Sequence, residues 1–452
     1  MTARSCSDLR EVIANGMCIG CGACVHADSA LRLVFNPTRQ MFEPSGPGGP
    51  EAAAVCPSVR VDYGGLQKRL FGDAPLGPLG AIEQVLLAQS TDRMRNVAAS
   101  SGGVIKELLR EYLAGDEVDG AIALQHTRGL DFEPQLIRER EEVDRLPGSI
   151  YHAVPFGAAL RLLSENSGRF VLVATPCQLE GIYSYIFRCR PDLTERIHAT
   201  IGLLCGWQYT HHAIRAVCTY RHIDFDAIQD IAFRGGGPVG RLRIRVPQRE
   251  YSVHRRIDFS YQVAFDRSFN IPRCHLCINH TNFLADLVVG DAWLPSTVHT
   301  KTGMSLVICR SKAAVQVMAR LTAQKRIVST AVSPAEIVES QTRRVAYGDF
   351  SYAYADYLRQ QGAFVPELIG PNRTAARLTP RAAVKKFHRQ TAAKVQLQRA
   401  RRYRQLYLRK LSVEVGPLLW RYVRWFFVRV MKVKSLLGLR REVPREKLAE
   451  FA

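Results

Sequence analysis

Phe170-Val171-Leu172-Val173-Ala174-Thr175-Pro176-Cys177-Gln178 sets five apolar residues ahead of a Thr-Pro turn, and helical spacing follows over 178–187. A short apolar run closed by a turn reads as a strand buried on both faces. A strand that passes at once into a helix is the repeating unit of layered helix-and-sheet domains. The same alternation continues on both sides. Val104, Ile105, Leu108, Leu109, Tyr112 and Leu113 recur at helical spacing, and 121–124 reads as a strand. Further strands are expected at 201–204, 287–289, 305–308 and in the alternating Leu242-Arg243-Ile244-Arg245-Val246, with an amphipathic helix over 312–324. The fold class is α+β. No run reaches the ~18 apolar residues of a spanning helix.

At 452 residues the chain exceeds the ~250–300 at which a single core stops growing. Residues 1–63 form a small cysteine-bearing lobe, and the Gly/Pro-rich residues 64–80 read as a linker. The body runs over 81–165 and 166–345, and 371–452 is a basic, amphipathic helical extension. Apolar residues at 47% and charged residues at 23% exclude a disordered chain. The first residues, Met-Thr-Ala-Arg-Ser-Cys, lack the basic, apolar and small-residue succession of a secretory signal, so a cytoplasmic location is expected.

The formal charge of +21 suggests nucleic acid until it is located. Between Pro371 and Ala452 there are 22 lysines and arginines against four acidic residues, so the rest of the chain is nearly neutral and nucleic-acid binding is not expected. Within the extension, 418–434 mixes Arg421, Arg424 and Lys432 with Trp420, Trp425 and Phe426. Such a stretch suits peripheral contact with the inner face of an anionic membrane, or docking on the chain's own body or an acidic partner.

Cys18-Ile19-Gly20-Cys21-Gly22-Ala23-Cys24 spaces three thiols as a bacterial-ferredoxin loop does around a [4Fe–4S] cluster, and the remote Cys56-Pro57 supplies a fourth ligand. Gly20 and Gly22 allow the tight turn. Asp28 stands where a further cysteine would support a second cluster, so one cluster is expected in this lobe. Zinc is the alternative, but zinc sites use paired C-x2-C hairpins.

A second set combines Cys274-x2-Cys277 with Cys177 and Cys205, both at strand ends where the functional residues of such sheets gather. Chemistry alone leaves three readings: a second cubane, a zinc site using His275 or His280, or an accidental set. Cys6, Cys189, Cys218 and Cys309 read as small apolar residues or idle thiols. Ser100-Ser101-Gly102-Gly103 opens a helix, either as a phosphate-facing turn or a plain N-cap. Arg234-Gly235-Gly236-Gly237 is either a flexible loop over a cofactor or a hairpin turn. His126, His152, His211 and His212 are unranked acid–base candidates.

Taken in order, the lobe motif, Ser101-Gly102-Gly103, Thr175-Pro176-Cys177-Gln178, Cys205-Gly206, Cys274-x2-Cys277, Ala285-Asp286 and Gly290-Asp291-Ala292-Trp293 resemble the coenzyme F420 hydrogenase/dehydrogenase beta-subunit family. The resemblance covers roughly residues 15–295 and leaves the basic tail outside. It implies a mixed α/β flavin-binding body and an FAD- and [4Fe–4S]-dependent oxidoreductase. Ser100, Ser101, Gly102, Gly103, Thr175, Pro176 and Gln178 would lie against FAD, and Cys18, Cys21, Cys24, Cys56, Cys177, Cys205, Cys274 and Cys277 would hold clusters.

The implied partners are a small hydride-exchanging substrate, the deazaflavin coenzyme F420 or another, and a redox protein such as ferredoxin or a catalytic subunit. The rival readings are a non-catalytic relay subunit, a ferredoxin-dependent reductase in pigment or glycan biosynthesis, and a zinc-stabilised interaction protein.

Overall fold

A computed structural model describes residues 8–412 apart from 75, 238–239, 298–301, 372–378 and 400. Its centre is one mixed sheet of eight strands. These are β1 (Gln84–Ser90), β2 (Gly120–Arg128), β3 (Asp131–Ile137), β4 (Phe170–Ala174), β5 (Ile197–Leu203), β6 (Leu287–Asp291), β7 (Ser305–Cys309) and β8 (Ile327–Val332), in the spatial order β8-β1-β7-β6-β5-β4-β2-β3. The inner strands β6, β5, β4 and β2 run parallel. The flanking strands join them antiparallel, β3 on one side and β7, β1 and β8 on the other.

Successive side chains of a strand point to opposite faces, and a parallel strand covered on both must be apolar throughout. Val171, Leu287 and Val289 accordingly share a core with the helices Val104–Tyr112 and Lys312–Ala323. Leu172, Val288 and Ile308 share the opposite core with Ala158–Glu165 and Pro176–Cys189. The N-terminal residues Ile19, Cys21 and Ala23 belong to that second core, so the lobe rests on the face that carries the Pro176–Cys189 helix.

Between β5 and β6 the chain inserts a smaller layer: the antiparallel strands Asp230–Ala232, Arg241–Val246 and Arg249–His254 with the helices His212–Arg221 and Phe259–Ala264. Arg241–Val246 alternates exposed and buried, as its sequence requires. The Arg234–Gly237 run lies in the connection between the first two of these strands. Its Gly236 and Gly237 amides both donate to the Val97 carbonyl, which makes it a clamped hairpin connection.

The lobe contains the helices Leu9–Ala14, Ala23–Ala27 and Pro50–Ala54 and the hairpin Arg32–Asn36/Met41–Ser45. The expected linker over 64–80 is corrected in its first half, where Tyr63–Phe71 is a helix. Asp62 caps it by accepting the Gly65 amide at 2.9 Å, which offsets the low helix propensity of Gly64 and Gly65, and Gly72 at φ 65° ends it. Arg60–Asp62 pairs in parallel with Glu367–Ile369, which follows the long helix Pro334–Gln360.

In the extension, the helix Arg381–Arg399 sets Val384 and Phe387 against Phe350 and Tyr354, and Tyr403, Leu406 and Tyr407 are buried in the core of the inserted layer. This part of the extension docks on the body. The basic aromatic stretch 418–434 lies outside the described residues. No helix among the described residues is long and apolar enough to cross a membrane.

Candidate functional site

The first cysteine set is built by its own loop. Gly20 and Gly22 take φ of 71° and 80°, where side chains are strained, and the loop folds back so that the Gly20 amide donates to Cys18 Sγ at 3.4 Å. Cys24 sits in the helix Ala23–Ala27, and Cys56 follows Pro50–Ala54. Burial pushes the Cys18 thiol up to about 12, with Cys56 adding to the effect. Burial also raises Cys21 and Cys24, each further raised by others of the four. Asp28 is occupied otherwise: its carboxylate accepts the amides of Ala30 and Gly49.

The second set depends on the sheet. Cys177 opens the Pro176–Cys189 helix at the end of β4, with Thr175 Oγ1 3.6 Å from its sulfur. Cys274 and Cys277 come from the turn Pro272–Leu276 and its C-cap, and the Gln208 amide donates to Cys274 Sγ at 3.4 Å. Burial pushes Cys177, Cys274 and Cys277 up to about 12 each, and these three are near enough to raise one another. Cys205 lies just beyond β5, its amide bonded to the His280 carbonyl and its own carbonyl to His280 Nδ1.

Among the described residues, no three His, Cys, Asp or Glu side chains gather closely enough to chelate a single ion. A cluster spreads its ligand sulfurs over separate irons. His275 packs its ring on Phe387, and burial pushes it down to about 3. Cys218 and Cys309 are buried in apolar cores, as expected of small hydrophobes.

A cavity of about 1470 Å³, counted with its mouth, opens at the C-terminal ends of β2, β4, β5 and β6. That is the ligand position of open parallel sheets, and a mostly apolar cleft with a few polar groups is what a cofactor site needs. Of the residues predicted for a cofactor, Ser100, Ser101, Gly103, Thr175 and Gln178 line it, as does Cys205. Gly102 and Pro176 stand behind the wall. The Gly102 amide donates to Ser305 Oγ at 2.9 Å, and a side chain there would meet the Ala88 carbonyl at 2.5 Å. Ser101 Oγ donates to the carbonyls of Gly290 and Met304, so that much of this motif is spent on holding its own turn. Gly103, at φ 79°, caps the helix Val104–Tyr112.

Among the described residues, two glutamine atoms at the wall are buried without a partner. Gln178 Oε1 accepts the Thr175 amide at 2.8 Å, which fixes the side chain and leaves Nε2 a lone donor. Gln208 Oε1 is a lone acceptor. A donor and an acceptor left unsatisfied in a mostly apolar cavity fit a heterocycle with polar edges.

Sequence reading missed Gln208 and also Tyr151, which lines the same cavity. Arg234 Nη1 donates to Tyr151 Oη at 3.2 Å and to Asp291 at 2.8 Å. Burial opposes ionisation of Tyr151, but the guanidiniums of Arg255 and Arg234 outweigh it and hold the phenol below its ordinary value. The Arg234–Gly237 run supplied the signal for this contact; nothing in sequence tied it to Tyr151.

The four histidines are accounted for elsewhere. His126, His152 and His211 bond the carbonyls of Gly129, Leu130 and Ala153, and His212 bonds Tyr403 Oη and the Thr38 carbonyl. Asp286 clamps β5 to β6 by accepting the amide and hydroxyl of Thr200 at 2.9 and 2.7 Å.

A strand-end cavity with Cys205 in its wall, in a mixed α/β body that carries two sets of cysteines, is the arrangement of a redox subunit. The N-terminal and C-terminal family models of the coenzyme F420 hydrogenase/dehydrogenase beta subunit match residues 85–161 and 167–335, and the chain belongs to that family. It is 24% identical over 317 residues to an F(420)H(2) dehydrogenase subunit of Methanosarcina mazei, covering 65% of this chain and 82% of that one. It is 22% identical over 236 residues to the coenzyme F420 hydrogenase beta subunit of Methanosarcina barkeri, covering 50% and 77%. A chain in the xenon-derivatised F420-reducing [NiFe] hydrogenase complex of Methanosarcina barkeri is similar at 16% identity and a TM-score of 0.49, covering 62% of this chain and 94% of that one. The lobe cysteines precede both matched segments.

Proposed function

We propose that this chain is an FAD- and [4Fe–4S]-dependent redox subunit that exchanges a hydride with a small substrate. The relatives' names make coenzyme F420 the first substrate to test. The observation that carries the reading is the make-up of the cavity wall. It combines parallel strand ends with Thr175, Gln178 and Cys205, so whatever fills the cavity borders Cys205 and, through Thr175, lies near Cys177. In this reading Cys177, Cys205, Cys274 and Cys277 hold one cluster and Cys18, Cys21, Cys24 and Cys56 another, which exchanges electrons with a ferredoxin or a catalytic subunit.

Bound FAD would supply the interchange between one-electron and two-electron chemistry. The chain's own residues do the rest. Gln178 Nε2 and Gln208 Oε1 orient the heterocycle, and the Gly103 turn with the helix behind it takes a phosphate. Tyr151, acidified by two guanidiniums, holds or releases a proton at its Oη beside the exchange. The apolar wall keeps water from the reacting atoms.

The full-length protein, reconstituted anaerobically with iron, sulfide and FAD, is expected to retain FAD through gel filtration and release it on denaturation. Iron and sulfide without flavin would overturn the reading. Gln178→Glu keeps the acceptor for the Thr175 amide and removes the Nε2 donor, so it should weaken FAD retention about fivefold, the effect of one hydrogen bond.

A further inference from the structure

We propose that Arg273 is a positioning residue that raises the reduction potential of the second cysteine site relative to the first, an inference that rests on the cluster reading above. Its side chain is 2% exposed and that of its partner Glu180 is 0% exposed. A buried ion pair is a poor source of stability, since an apolar pair of similar volume serves as well or better. The pair is also unbalanced. Glu180 accepts from Tyr63 Oη at 2.8 Å, Asn279 Nδ2 at 2.9 Å and Arg273 Nη2 at 3.3 Å, so three of its about four acceptor sites are filled, the two shortest by groups other than Arg273. Among the described residues, Arg273 has only that long contact and one to the Pro57 carbonyl at 3.5 Å, and its Nε–H is buried with no partner. A guanidinium carries five donors in a fixed fork and keeps its charge at any ordinary pH.

The neighbours show what would use the surplus. Arg273 is adjacent in sequence to Cys274, its partner Glu180 follows Cys177 by three residues on the Pro176–Cys189 helix, and Cys277 and Cys177 are among the charges that act on it. Pro57, by contrast, follows Cys56, so the guanidinium lies across the seam between the sets. The seam is short. Cys177 and Gly181 are about one helical turn apart, roughly 6 Å of rise, and a side chain added to Gly181 would stand 2.6 Å from Cys21 Sγ.

Four thiolates leave a cluster net anionic, and each electron adds negative charge. Net charge and hydrogen bonds to the sulfurs set the potential of such a centre. A fixed cation with a spare N–H beside one site therefore favours its reduced form. One electron passing from the reduced first site to the second oxidises the one and reduces the other, with no bond made or broken and no proton needed. Arg273 tilts that exchange toward the cavity side, and Glu180 limits the tilt.

The test is an EPR-monitored redox titration of the full-length reconstituted protein. Arg273→Gln should lower the midpoint of the second site and leave the first unchanged. The expected loss is about tenfold in the equilibrium constant for exchange between them, equivalent to about 59 mV for a one-electron couple. Arg273→Lys, which keeps the charge, should fall between the two. Glu180→Gln should move the second midpoint upward. Iron and sulfide at wild-type levels with unshifted midpoints in Arg273→Gln would overturn the proposal. Should that variant fail to hold its cluster, Glu180→Gln decides: an upward shift supports the proposal and an unchanged midpoint overturns it. A wild-type protein with no cluster at the second set would instead sink the functional reading.

Discussion

Three thiols of the first cysteine set come from seven consecutive residues, and two glycines with positive φ bring them round. Cys177, Cys274 and Cys277 of the second set come from a helix start after β4 and a turn nearly one hundred residues later. The first set is therefore a property of a loop and its docking, whereas the second is a property of the sheet. If both sets hold clusters as proposed, damage to one should spare the other, and the partition of iron between them would report which has been touched.

The sharpest way to break the first set alone is Gly22→Ala. The residue has φ 80°, and an added Cβ would lie 2.3 Å from Gly157 Cα, a backbone atom of the body that cannot step aside. Strain in the left-handed region adds about 1–2 kcal/mol and overpacking about 1–3 kcal/mol. The variant is expected to be destabilised by about 3 kcal/mol in urea and to lose about half its iron, the half associated with the lobe, while FAD retention persists. Loss of flavin with the lobe iron would show that the two sites do not assemble independently.

Asp286→Ala makes the opposite cut. It removes the acceptor for the Thr200 amide and hydroxyl, a contact at the N-terminal end of the β5–β6 pairing whose other end meets the cavity. Leaving a buried donor unsatisfied costs about 1–3 kcal/mol. A loss of about 2 kcal/mol is expected, with weakened FAD retention and unchanged lobe iron. Equal loss of iron from both sets would count against a sheet-specific role.

This division also explains how far the sequence could be read. Phe170–Ala174 and its Thr-Pro turn were legible because a doubly covered parallel strand must be apolar and a helix start has its own chemistry. The spacing of Cys18, Cys21 and Cys24 was legible for the same local reason. Tyr63–Phe71 was not, because Gly64 and Gly65 outweigh the Asp62 cap when propensity is read alone. Glu180 and Arg273 are 93 residues apart, and no local pattern announces that two charges will meet in a core. The cavity's lone atoms on Gln178 and Gln208 become visible only when their neighbours are known to be taken.

The smallest expected effect concerns the joint between the lobe and the body rather than either set. His212 starts the helix His212–Arg221, yet its ring nitrogens bond the Thr38 carbonyl of the lobe at 3.0 Å and Tyr403 Oη of the extension at 2.6 Å. Burial pushes it down to about 4, with the nearby charges of Arg401 and Arg215 acting in the same direction against the bond to Thr38. An unfolded histidine titrates near ~6.5. Because the folded value is the lower one, the stabilisation is fully present above that pH and is lost as pH falls toward about 4. Each unit of that interval is worth at most about 1.4 kcal/mol. Between pH 6.5 and 5.5 the wild type should therefore lose about 1 kcal/mol more than His212→Gln in urea titrations. A matching slope in the two proteins would mean that His212 takes up its proton without disturbing the joint, and the acid sensitivity would have to be sought in His152 and His211, which burial also holds low.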